Sequence, residues 1–189
     1  MIPRAWCLAA AAIGVVTGCA RMPPAAVEPV TRTLTPHFEV VGRMAVSDGD
    51  RAASLGFEWR HDASDEWLFV GPLGQVVARL RADAEGAVLH LGGQAPLRAT
   101  SAQDLMGRVL GVAPPLAGVE AWVQGVPRPD ARVRRLDEVG RPASVADAGW
   151  IIDYLEYLGP EPDARPRRLE ATWGEARLKL VIDQWTELP

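Results

Sequence analysis

Cysteine is almost missing from this chain. Only Cys7 and Cys19 occur, so everything beyond residue 19 lacks a disulfide, a thiol nucleophile and a Cys-based metal site. Histidine is nearly as scarce. His37, His61 and His90 are scattered without metal-ligand spacing, which favours surface or loop positions for each and excludes a sequence-local zinc site. There is no Gly-x-Ser-x-Gly elbow and no phosphate loop, and Gly92-Gly93 reads as a turn. The carboxylates are dispersed, so no catalytic pair is proposed by spacing. A surplus of positive charge is lacking too: 20 Lys and Arg stand against 24 Asp and Glu, a net charge of −4, which argues against nucleic-acid binding. No run of 18 apolar residues occurs, so no spanning helix is expected. An enzyme is therefore not expected, nor a metal or cofactor.

What is present begins at the amino end. Met1 to Trp6 carries one positive charge, Arg4, and Cys7 to Val16 is apolar. That apolar run is about half the roughly 20 residues of a membrane span and fits a signal segment. It leads into Val16-Thr17-Gly18-Cys19, which resembles the lipobox of bacterial lipoproteins. Residues 1–18 are then a signal peptide, and Cys19 becomes an acylated N-terminus. The plainer alternative is an ordinary secretory signal with a chance cysteine. One acyl chain holds a membrane only marginally, whereas several make release negligible. Residue 20 is Ala rather than the Asp that commonly retains such proteins at the inner membrane, which points to the outer membrane. Residues 19–36, rich in Pro and Ala, read as a flexible tether. Residues 37–189 read as one domain, with enough chain for a real core.

The domain alternates. Phe38, Val40, Met44 and Val46 share one face of a strand; Leu55, Phe57 and Trp59 share one face of the next. Trp67 to Val70 runs into Gly71-Pro72-Leu73-Gly74, a turn by composition. Strands are expected at 76–81, 87–91, 132–136, 150–155, 168–173 and 178–183. Two helices interrupt them. One starts at the N-cap Ser101 and stops at Gly111; the other carries Leu116, Val119, Trp122 and Val123 and ends at Gly125. Many short strands with frequent turns predict a mostly β fold with some α: an antiparallel sheet that curls into an unclosed half β-barrel, with the helices covering an apolar cavity. Beyond the signal six tryptophans remain, Trp59, Trp67, Trp122, Trp150, Trp173 and Trp185. Core packing accounts for most of them; a wide apolar lining is the functional alternative.

The ordered set of local motifs resembles the LolB family of outer-membrane lipoprotein receptors. It comprises the lipobox at Cys19, Phe38 with Gly42-Arg43-Met44-Ala45-Val46, and Phe57-x-Trp59. Gly71-Pro72-Leu73-Gly74, Leu116 with Trp122-Val123-x-Gly125-x-Pro127, and Gly149-Trp150 with Tyr154 follow. Leu178 to Ile182 and Trp185 complete it. Pro114-Pro115 before Leu116 departs from the usual pattern. The resemblance implies a monomeric protein at the periplasmic face of the outer membrane. It would accept acylated lipoprotein cargo from a LolA-like periplasmic carrier and place it among outer-membrane lipids. It also implies that Leu73, presented by Gly71, Pro72 and Gly74, protrudes for membrane insertion, the alternative being a leucine folded back into the core. Trp59, Trp150, Phe57 and Trp122 are the candidates for an acyl-chain lining. Arg128, Arg132, Arg134, Arg135 and Arg141 form a basic segment, either a solvated sheet edge or a docking surface for the carrier or anionic lipid. A lipocalin-like lipoprotein binding a small apolar ligand, needing no partner and no protruding loop, is the alternative function. A purely structural envelope lipoprotein, needing no cavity, is a third.

Overall fold

The computed structural model describes residues 27–49, 51–111 and 114–189. The expected signal peptide and the acylation site at Cys19 lie outside the described residues. Among the described residues eleven strands and two helices follow one another: β1 Phe38–Asp48, β2 Arg51–His61, β3 Asp65–Val70, β4 Val76–Asp83, β5 Gly86–Leu91 and β6 Leu97–Ala99. Then come α1 Ala102–Leu110 and α2 Leu116–Gln124, and finally β7 Arg132–Leu136, β8 Pro142–Asp147, β9 Trp150–Tyr157, β10 Pro166–Trp173 and β11 Ala176–Glu187. All strands join one sheet in the order β6-β5-β4-β3-β2-β1-β11-β10-β9-β8-β7. Every pairing is antiparallel. The two edges, β6 and β7, do not meet, so the barrel is unclosed.

The alternation read from sequence decides which face is inside. In β1, Phe38, Val40, Met44 and Val46 are buried and Arg43 is exposed. Phe57 and Trp59 of β2 lie opposite Phe69 and Trp67 of β3, and all four are buried. The sheet also needs to bend. The β1–β11 register slips between Val41 and Gly42, and such bulges add local twist. Gly42 is required there, because a Cβ would sit 2.3 Å from the Val181 carbonyl oxygen and 3.1 Å from the Phe57 ring.

Both helices lie against the concave face. Ser101 caps α1, its hydroxyl accepting from the Asp104 amide at 3.3 Å, and Gly111 closes it by donating to the Gly107 carbonyl. At nine residues each, the helices fall short of the ~12–15 needed for stability alone. They persist because Leu105, Met106 and Leu110 of α1, and Val119, Trp122 and Val123 of α2, join the sheet's core.

Strands β6 and β8 were not expected from sequence. β6 is three residues long, and β8 (Pro-Ala-Ser-Val-Ala-Asp) is buried at almost every position, so no alternation betrays it. The expectation for His61 also changes: it ends β2, half-buried, rather than sitting free on a surface or loop.

The expected tether of residues 19–36 is shorter on its body side. The Val30 amide donates to the Gly140 carbonyl at 2.9 Å. The Arg32 guanidinium donates to the carbonyls of Pro162, Asp163 and Ala164, and Thr35 bonds the fully buried Gln124 side chain in both directions. Gly140 has φ +88° and a Cβ there would lie 2.2 Å from the Glu28 carbonyl; its bare backbone is what lets this strap lie flat. Sequence composition suggested a free segment because the carbonyls that hold Arg32 come from a loop more than a hundred residues away.

Candidate functional site

Between the helices and the sheet lies a seam walled only by apolar side chains. Met44, Phe57, Trp67, Leu178 and Leu180 form its floor, and Met106, Leu110, Leu116, Val119 and Val123 its roof. The remaining cavity is about 10 Å³, at the lower limit for one water molecule. The seam is closed, and hydrocarbon enters only if roof and floor part. The lining itself is apolar, and Met44 and Met106 are side chains that repack readily around a different shape.

Of the four expected lining residues, Phe57 is on the seam wall. Trp59, Trp122 and Trp150 lie outside it, buried in the surrounding core. Trp59 stacks on Trp67 with centroids 4.2 Å apart and donates its Nε1–H to Asp65 at 2.8 Å. Trp122 packs at 5.8 Å from Trp150 and donates to Asp147 Oδ2 at 2.7 Å. These indoles are fixed by carboxylates, whereas Phe57 has no polar tie. Trp67, the two methionines and the Val119/Val123 pair were missed as lining. Their signals were available: Trp67 has the inward parity of Phe69, and Val119 and Val123 are one helical turn apart.

The turn after β3 presents Leu73. The Gly71 amide donates to the Gln75 carbonyl at 2.8 Å and the Gly74 amide to the Gly71 carbonyl at 2.9 Å. The Gln75 side chain accepts from the Leu73 amide at 3.1 Å. With its backbone held, Leu73 is 92% exposed, and Pro72 and Val76 beside it are exposed too. The leucine is not folded back.

The basic segment divides. Arg128 grips Asp147, whose side chain is 1% exposed. Arg141 bonds Asp137 at 2.7 Å and the carbonyls of Gly159 and Glu161. These two hold the fold. Arg132, Arg134 and Arg135 instead stud β7, an exposed edge strand, where charge discourages pairing with another sheet.

One titratable contact ties α2 to the sheet. His61 Nδ1 lies 2.7 Å from Asp65 Oδ1, and His61 Nε2 lies 3.7 Å from Glu120 Oε1 on α2. The Asp65 hydrogen bond raises the imidazole above its ordinary value; burial opposes this, and the charges of Asp65 and Glu120 add to the rise. A raised folded value means the stabilisation is fully present below about pH 6.5 and is lost as pH climbs through the raised value. We expect the urea midpoint to fall between about pH 6 and about pH 8, and His61→Gln to flatten that slope. An unchanged slope in the variant would assign the effect elsewhere.

The architecture defines a class first. A LolA superfamily protein of known structure from Nitrosomonas europaea shares the fold, with a TM-score of 0.50 at 11% identity over 84% of this chain and 90% of that one. The family is then set by sequence. The model described as "Outer membrane lipoprotein LolB" matches residues 36–185. The chain is 43% identical over 179 residues to an outer-membrane lipoprotein LolB of Azoarcus sp. (strain BH72), covering 94% of this chain and 93% of that protein. It is 39% identical over 177 residues to one of Thiobacillus denitrificans, covering 91% and 92%. The chain belongs to the LolB family of outer-membrane lipoproteins, whose role is lipoprotein localisation.

Proposed function

We propose that this protein, acting as a monomer acylated at Cys19, accepts acylated lipoproteins from a LolA-like periplasmic carrier. It shelters their chains between helices and sheet and releases them into the outer membrane with Leu73 at the lipid surface. It does this without bond-making chemistry. The observation that supports the reading is the all-apolar seam, packed to about 10 Å³ and roofed by two short helices. A cargo with three chains carries on the order of 45 methylenes, so about 35 kcal/mol opposes its exposure to water. Passage from one apolar interior to another avoids that barrier. Flow without a nucleotide then needs only tighter binding by each successive acceptor.

The test mixes the protein with carrier loaded with labelled lipoprotein. The label is expected to move onto this chain without added nucleotide. Label that stays on the carrier would overturn the reading. Binding of a fluorescent fatty acid by the same preparation would then favour a small-ligand protein.

A further inference from the structure

Trp173 stands outside the core, although its place on the strand assigns it to the inward face. It follows Leu169 and Ala171 along β10, and alternation puts all three on one side. Leu169 and Ala171 are buried, whereas Trp173 is 59% exposed. It is the only aromatic among the large apolar side chains that stand exposed in the described residues. Its ring is nevertheless braced. It stacks on the buried Trp150 with centroids 6.1 Å apart, and Trp150 packs on Trp122, which Asp147 fixes. Gly149 lies alongside, so close that a Cβ there would be 3.5 Å from Trp173 Nε1. The N–H groups of Trp59 and Trp122 are taken by carboxylates; that of Trp173 has no acceptor among the described residues. A held indole with a free donor thus faces outward.

The registers show where that indole is presented. Trp173 pairs with Ala176, Ala176 with Asp48, and Asp48 with Arg51, so the β10–β11 turn lies beside the β1–β2 hairpin. β3 leaves Val70 opposite Gly56, heading toward Arg51, and Pro72 shares a groove with Ser54 and Leu55. The Leu73 turn is therefore at the same end of the sheet as Trp173. Strands β2, β1 and β11 stand between them, which at ~4.8 Å per strand spacing separates the two by about 20 Å along the sheet. One exposed apolar side chain needs no explanation. An aliphatic one and an indole at the same end match the two zones of a bilayer: leucine favours the hydrocarbon, and the tryptophan ring settles at headgroup level, where its N–H stays hydrated. Charges set the depth. Arg51 and Glu175 are exposed at this end, and both are strongly disfavoured in hydrocarbon, so the rim stops at the headgroups while the projecting Leu73 reaches further.

We propose that Trp173 is a second membrane contact, seated among the lipid headgroups while Leu73 enters the hydrocarbon. The assignment rests on the reading of Leu73 as the side chain at the lipid surface, and it adds an orientation. A single contact lets the body pivot about it. Two contacts about 20 Å apart fix the tilt of the sheet, with the β1–β2 and β10–β11 turns toward the lipid. The brace from Trp150 and Gly149 keeps the indole in place, so little side-chain freedom is lost when it meets the surface.

Trp173 is its own probe. Trp59, Trp67, Trp122 and Trp150 are buried, and Trp185, paired with Val40, is toward the other end of the sheet. The full acylated chain is placed in vesicles of phosphatidylethanolamine and phosphatidylglycerol that also contain phosphatidylcholine brominated either near the headgroup or near the chain end. The parent's emission is expected to be quenched, more by the shallow bromine, and Trp173→Phe is expected to lose most of that quenching. Leu73→Trp added to Trp173→Phe is expected to restore it, with a shift toward the deep bromine. Quenching of the loop probe without quenching of Trp173, or quenching that survives Trp173→Phe undiminished, overturns the second contact and leaves that of Leu73 intact. No quenching of either overturns the Leu73 reading and the second contact together. Trp173 emission that responds to cargo-free carrier but not to bromine would assign the indole to the carrier, which also overturns the proposal.

Discussion

Replacing Leu73 with glutamate is expected to stop delivery into bilayers while leaving uptake from the carrier unchanged. The fold should not notice the change. Leu73 is 92% exposed, and surface substitutions of this kind usually stay within about 0.5 kcal/mol. The bilayer should notice it strongly. Leucine is favourable in lipid by a few tenths of a kcal/mol, and a carboxylate costs about 3 kcal/mol at depth. The swing of about 3 kcal/mol is more than a hundredfold in the population of the inserted loop. The magnitude also limits what Leu73 does: one buried leucine contributes only about 1.5–3 kcal/mol. That is small beside a lipid anchor, so its action is local, at the leaflet next to the site of release. Uptake and insertion must be measured separately, with labelled cargo and liposomes. Insertion at the parental rate would show that the exposed leucine is not the membrane contact.

Asp147→Ala is expected to cost about 3 kcal/mol of stability, at the lower end of the range for breaking a buried ion pair. Asp147 accepts from the Trp122 indole and from the Arg128 guanidinium. Its removal strands a buried indole N–H, while Arg128, less deeply placed, recovers part of its hydration. Because Trp122 belongs to α2, the loss also loosens the roof of the seam. A fall in the urea midpoint should therefore come with faster hydrogen exchange along α2. Asp147→Asn, which keeps one acceptor for the indole, should recover part of the loss. A midpoint within experimental error of the parent would mean that the carboxylate is dispensable to the packing of α2.

How far the sequence could be read depended on how local each feature is. Strand faces were legible because inward and outward positions alternate, and β1, β2 and β11 follow that rule from Phe38 to Ile182. Helix ends were legible because Ser101, Gly111 and Gly125 act on their own neighbours. β8 was illegible because, buried on both faces, it shows no period. Within the candidate site, Leu73 was placed by the composition of its turn. The aromatic lining was only partly placed: Phe57 faces the seam, but Trp59 and Trp122 turn their indoles toward Asp65 and Asp147, and no spacing rule encodes a partner 25 residues away. The basic segment looked uniform as a string, yet Arg128 and Arg141 serve the fold while β7 carries the others to an edge.

By itself the amino-acid string determined that the body has no thiol chemistry, that its strands are amphipathic, and that its helices stop where glycine stops them. Those properties depend on composition and on neighbours within one turn or one strand. Only the tertiary structure decided that the seam is shut to about 10 Å³ and that Arg32 and Thr35 are tied to Gln124 at the end of α2. Both depend on where two nine-residue helices lie across a sheet whose strands come from both ends of the chain. That placement is set by packing between distant residues, which no local pattern records.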